Sequence, residues 1–123
     1  DHLPQFGRAL QAGSRQVVEM NVTDDSPVPA HLFYLQGVAL LRTGDKVAGI
    51  ESLERCLSID AGHGLAHHNL AVALYSIGRY REAALHLEQA ITAGVAPPPE
   101  LIAEIAAGVR EQGLALASQP AIE

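Results

Sequence analysis

The sequence predicts an all-α chain built from a helix–turn–helix unit that recurs every 34 residues, and three observations predict it. The segments Ala30–His63 and Gly64–Pro97 have this same length and run in register, so that Gly44 falls on Gly78 and Leu53-Glu54-Arg55-Cys56-Leu57 falls on Leu87-Glu88-Gln89-Ala90-Ile91. Within each segment apolar residues return at three- and four-residue steps, the period of one helix face. The apolar content is 48%, yet Trp is absent and only five residues are Phe or Tyr, so the core must be made of thin side chains that suit closely packed helices.

Taken in order, residues 1–29 read as a degenerate helical unit and linker. Leu3, Phe6 and Leu10 precede Gly13, Val17 and Met20 follow it, and Thr23-Asp24-Asp25-Ser26-Pro27 forms a loop leading to Pro29. In 30–63 the first stripe is Phe33, Gly37, Leu40 and Leu41, and the second is Gly49, Ile50, Leu53, Cys56 and Leu57. In 64–97 the stripes are Leu70, Leu74 and Ile77 with Ala71 and Ala73, then Tyr80, Ala83, Ala84, Leu87, Ala90 and Ile91. The glycine between the stripes of each unit can take the left-handed conformation that ends a helix. Residues 98–123 read as a partial repeat or capping helix and tail. Pro97-Pro98-Pro99 favours a helix start near Glu100, and Ile102, Ile105, Ala106 and Val109 occupy the first-helix core positions up to Gln112. Gly113 lies 35 residues after Gly78, so Leu114–Ala117 is expected either as a truncated second helix or as the end of a capping helix.

These residues resemble the tetratricopeptide repeat, whose 34-residue pattern runs W-x2-L-G-x2-Y, then A-x3-F, then P. The second unit supplies His67, Leu70, Ala71 and Leu74, then Ala83 and Leu87; the first supplies Phe33, Gln36, Gly37 and Leu40, then Gly49 and Leu53. The small residues Gly37, Ala71, Gly49 and Ala83 let the paired helices approach closely. His67 stands where the pattern has an aromatic ring, and Ala61 and Val95 stand where it has the closing Pro. The resemblance implies two full repeats with flanking partial or capping helices, stacked in a right-handed superhelix with a shared core.

It also implies a concave binding groove lined by the first helix of each unit. In this chain the groove residues would be His31, Tyr34, Leu35, Val38, Leu41 and Arg42, then Leu65, His68, Asn69, Val72, Tyr75 and Ser76, then Ala103, Glu104, Ala107 and Arg110. Tyr and Arg are enriched among interface hot spots, and an apolar groove with a few polar points fits an extended peptide or a partner helix. For Leu35, Val38, Leu65 and Val72, packing against a neighbouring helix or in a dimer is an equal alternative. A chaperone-tail carboxylate clamp is not expected: only Asn69 matches it, and Tyr34 and Val38 stand where it needs Lys and Asn.

The formal charge of −6 argues against nucleic acid as a general partner. The single Cys56 excludes an intrachain disulfide and reads as a core filler. No apolar run reaches membrane-span length. Six histidines invite a metal, and His63, His67 and His68 lie close in sequence. His63, however, falls in a loop, no Cys or acidic residue completes the set, and His67 has a structural place, so no metal or other cofactor is expected. His86 is expected on the exposed convex face and His2 in a loose end. Glu51, Glu54, Glu82 and Glu88 read as solvated faces, some paired with Arg55 or Arg79.

No phosphate-binding loop or catalytic constellation appears, and the expectation is a protein- or peptide-binding module, not an enzyme. Two alternatives are a regulatory or accessory domain of a larger enzyme, and a self-associating scaffold. A polar side of the last helix, with Glu104, Arg110, Glu111 and Gln112, argues against open-ended stacking. Composition points to a bacterial source. The start at Asp1 suits a mature form or an excised piece and leaves the compartment open, with the cytoplasm favoured.

Overall fold

A computed structural model describes residues 29–118. The expected N-terminal unit, including Gly13 and His2, lies outside the described residues. Five helices follow one another: α1 (Ala30–Arg42), α2 (Lys46–Ile59), α3 (Gly64–Ser76), α4 (Tyr80–Thr92) and α5 (Pro99–Ala117). α1 packs on α2 and α3 on α4 within the units. α2 against α3, α4 against α5, and α1 against α3 join the units into one stack. This is the all-α repeat architecture that the 34-residue period predicts.

The turns repeat as the sequence does. Gly44 has φ 91° and Gly78 φ 84°, a conformation that costs glycine little. After α1, the Asp45 N–H reaches back to the Leu40 carbonyl at 2.9 Å and the Gly44 N–H to that of Leu41 at 3.1 Å. After α3, Arg79 to Leu74 and Gly78 to Tyr75 repeat both bonds at 2.9 and 3.1 Å. The last carbonyls of both helices are thereby satisfied. α5 starts with Pro98 as its cap and Pro99 as its first residue, where a missing N–H costs nothing.

The core runs through both units. Leu53, Cys56, Leu70, Leu74 and Ile105 are the largest fully buried side chains, with Ala66, Ala71, Ala83 and Ala90 fully buried beside them. Burial pushes the Cys56 thiol above its ordinary pKa, with Asp60 adding to the effect, as befits an apolar filler. The helices of the first unit meet at Gly37 and Gly49. A Cβ on Gly37 would lie 2.8 Å from Leu53 Cγ, and one on Gly49 would lie 2.7 Å from Leu41 Cγ, so nothing larger than hydrogen fits without displacement.

One open alternative is decided and two expectations are corrected. α5 runs unbroken through Gly113, whose φ is not positive, so there is no turn in register with Gly78 and no separate helix at Leu114–Ala117; the capping-helix alternative is the one the chain adopts. Glycine permits a turn but does not impose one, and here the helical hydrogen bonds continue. Ile105 is buried and Val109 half-buried, but Ile102 and Ala106 are exposed, because no second helix follows among the described residues to cover that flank. Gln112 is turned inward, its Nε2 donating to the Gly78 carbonyl at 2.8 Å, and so it secures the preceding turn instead of contributing to the polar face.

Candidate binding groove

The first helix of each unit presents one flank to solvent, and α1 and α3 enclose a pocket of about 380 Å³ between them. Val38, Leu41 and Arg42 enter it from α1, and Asn69, Val72, Ala73 and Ser76 from α3. Lys46, the first residue of α2, reaches in across the Thr43–Asp45 turn. Val38 and Leu41 are half-buried and Val72 is 39% exposed, so the floor is apolar yet open to a ligand. Arg42 and Lys46 are exposed at the rim. Asn69 is held by two bonds donated from its Nδ2, to the Leu65 carbonyl at 3.0 Å and to the Tyr34 hydroxyl at 3.4 Å.

At one end of the groove, His31, Tyr34 and His63 form a ring cluster with centroids 5.0–5.3 Å apart. His63 caps α3 by accepting the Ala66 N–H on Nδ1 at 3.1 Å. That nitrogen therefore carries no proton, and the other, Nε2, donates to His31 Nδ1 at 3.1 Å. The residue expected in a loop is thus a helix cap that ties the α2–α3 connection to α1. At the other end, the Tyr75 ring lies 5.5 Å from that of Tyr80, and Tyr80 in turn lies under Gly108 of α5. Lodging there pushes the Tyr75 phenol above its ordinary pKa, and Glu104 and Glu111 of α5 push it further.

Six of the expected groove residues, Val38, Leu41, Arg42, Asn69, Val72 and Ser76, thus share one pocket. His31 and Tyr34 border it through Asn69, and Tyr75 sits next to Ser76 on its α5 side. Leu65 is 47% exposed at the first turn of α3, and His68 is half-buried. Arg110 is exposed on the side of α5 away from Ile105 and Gly108, and it does not line the pocket. Lys46 was not among the expected residues. Its place one residue past the turn was the available signal, since a long side chain there can reach either face.

A second histidine pair is buried behind the groove. His67 is only 6% exposed; its Nε2 donates to the Ala61 carbonyl at 2.8 Å, so its Nδ1 is a bare acceptor facing His86 Nδ1 at 3.0 Å. His86 is therefore not on the exposed convex face as expected but half-buried between α3 and α4. That burial, with His67 beside it, lowers its pKa below the ordinary histidine value, while Glu82 acts the other way. Arg79 pairs with Glu82 at the start of α4, and Arg55 lies 5.8 Å above the Phe33 ring. Among the described residues no group of three or more His, Cys, Asp or Glu side chains is placed to hold a metal, and no helix is long and apolar enough to cross a membrane.

Comparison with known proteins agrees with the repeat fold. The family model described as tetratricopeptide repeat matches residues 30–63 and 65–93. No match is found among curated proteins. Among solved structures the chain is similar to the crystal structure of MamA protein, with a TM-score of 0.57 and 17% identity, over 94% of this chain and 74% of that one. At that identity the likeness speaks for the fold alone. The two matched repeats account for half of the chain, and the paired helices, turn glycines and 34-residue period fall within them: the chain belongs to the tetratricopeptide repeat family, whose repeats mediate protein–protein interaction.

Proposed function

We propose that the domain is an interaction module whose concave face, formed by α1, α3 and α5, receives an extended peptide or a helix of a partner protein. The observation that carries this reading is the α1–α3 pocket. Its volume of about 380 Å³ lies within the roughly 300–1,000 Å³ range of ligand clefts. Its floor is Val38, Leu41 and Val72, and its rim is two cations, an amide and a hydroxyl. Such a set grips main-chain and carboxylate groups while the floor accepts an apolar side chain. It is the equipment of a binding groove. The experiment is affinity capture with the domain beside a Tyr75→Ala/Arg42→Ala variant of unchanged melting temperature. A protein held by the first and lost by the second is the expected result; equal retention by both would remove the groove from the reading.

Self-association is the second reading, favoured by Leu114 and Leu116, which are 65% and 58% exposed on the last turns of α5. Light scattering across concentration separates the two. Growth in mass that Leu114→Ser/Leu116→Ser abolishes would make the end of the stack an assembly surface.

A further inference from the structure

The chain carries a net charge of −6, yet its only lysine, Lys46, and Arg42 flank the same turn and line the same pocket. Among the described residues neither makes an ion pair, whereas Arg79 is paired with Glu82 and Arg55 covers Phe33. Asp45, between them in sequence, is occupied in accepting the Ala48 N–H at the start of α2. The opposite end of the groove has the opposite sign. Tyr75 lies against Tyr80 and Tyr80 against Gly108 of α5; Glu104 and Glu111 flank Gly108 at four- and three-residue steps, and with Glu100 they recur at helical spacing along one exposed flank of α5. Val72, Tyr75 and Ser76 lie between the two ends on α3.

We propose that this groove is electrically polarised and takes an extended partner segment in a fixed direction, with an acidic side chain or terminus over Arg42 and Lys46, apolar side chains over Val38 and Val72, and a basic side chain toward Glu104 and Glu111. The inference rests on the groove reading above and specifies its ligand. α1 packs on α3 and α5 packs on α4, so two steps of about 10 Å or slightly more separate α1 from α5, and an extended chain advances about 3.3 Å per residue. The acidic and basic groups of the ligand therefore stand about six residues apart. Charges placed this way fix direction and register and disfavour the reversed segment.

The test uses a phage-displayed library of random 12-residue peptides, selected on the domain, on Arg42→Glu/Lys46→Glu and on Glu104→Lys/Glu111→Lys. All four positions are exposed, and a melt of each variant confirms that it is folded. The domain is expected to enrich peptides with an acidic and a basic residue at that separation around an apolar centre. Each charge reversal is expected to weaken those peptides by about tenfold or more and to shift the selected sign at its own end. Enriched peptides without charge bias, or equally bound by both variants, would overturn the polarity and leave the groove standing. No enrichment on any of the three proteins would overturn the groove reading and the polarity with it. A dimer in light scattering that Arg42→Glu/Lys46→Glu dissociates would make the occupant a second copy of the chain and overturn the partner assignment.

Discussion

At the crossing of its helices the first repeat has Gly37 and Gly49 where the second, 34 residues on, has Ala71 and Ala83. In the first, the side chains of Leu53 and Leu41 occupy the space that a Cβ would need. In the second, the alanine methyls are themselves fully buried, and Leu41 is replaced by Tyr75, whose ring turns toward Tyr80. The polar pair inside each repeat differs as well. Ser52 donates to Gln36 at 3.2 Å in the first, while the position matching Ser52 is His86, bonded to His67 in the second. The first repeat fills its crossing with leucine side chains packed over glycines and the second with buried alanine methyls, so one geometry is kept with different residues. The polar contents of that geometry are free to differ, and only the second repeat places titratable groups there.

The largest effect should come from the side chain that fills the glycine crossing. Leu53→Ala removes a side chain with 0% exposure and is expected to cost about 2–5 kcal/mol in denaturant unfolding. Against the roughly 5–15 kcal/mol that holds a domain together, this approaches global unfolding. An unchanged midpoint would mean that the repeats are not stacked through Leu53. Next comes Gly37→Ala. Overpacking costs about 1–3 kcal/mol, and the helix propensity gained is about 1 kcal/mol, so a smaller net loss is expected. The comparison sharpens in the double variant. With Leu53 truncated, the added methyl enters the vacated space, and Gly37→Ala should become neutral or stabilising. Additive losses would show that the two residues do not share that space.

The scaffold was legible in the sequence because its determinants are local and steric. Gly44 and Gly78 mark turns that need a left-handed residue, and the buried leucines return at helical steps. The site was legible in part. Val38, Leu41, Arg42, Asn69, Val72 and Ser76 follow from the phase of α1 and α3, and all six line one pocket. What escaped depended on neighbours that a single helix does not specify. His86 faces inward to meet His67, and Lys46 reaches the pocket from a second helix. Gly113 reads as a turn, but among the described residues no second helix follows to pack behind one.

The buried His67–His86 contact predicts an acid response in the second repeat. The folded state holds the His86 pKa below the ordinary histidine value of 6.5, so below that pH the unfolded chain binds more protons. The contribution is complete above the ordinary value and is lost as pH falls from it through the folded value. His67→Phe/His86→Ser gives the second repeat the residues that the first has at Phe33 and Ser52. The drop in melting temperature between pH 7.5 and pH 5.5 should then be smaller than in the parent chain; an equal drop would locate the acid response elsewhere.

The smallest effects lie at the starts of the second helices. Asp45 caps α2, its Oδ1 accepting the Ala48 N–H at 3.2 Å, whereas the matching residue of the second repeat, Arg79, makes no side-chain cap on α4 and pairs with Glu82 instead. Asp45→Ala should cost about 1 kcal/mol, the usual worth of such a cap. Arg79→Asp should raise the melting temperature by less than Asp45→Ala lowers it. A carboxylate at the cap position with Glu82 three residues on has the spacing of a capping box, and the exposed ion pair given up is worth little. If Arg79→Asp instead lowers the melting temperature as far as Asp45→Ala does, the ion pair is a stabilising start to α4 in its own right, and the two repeats begin their second helices by different but equivalent means.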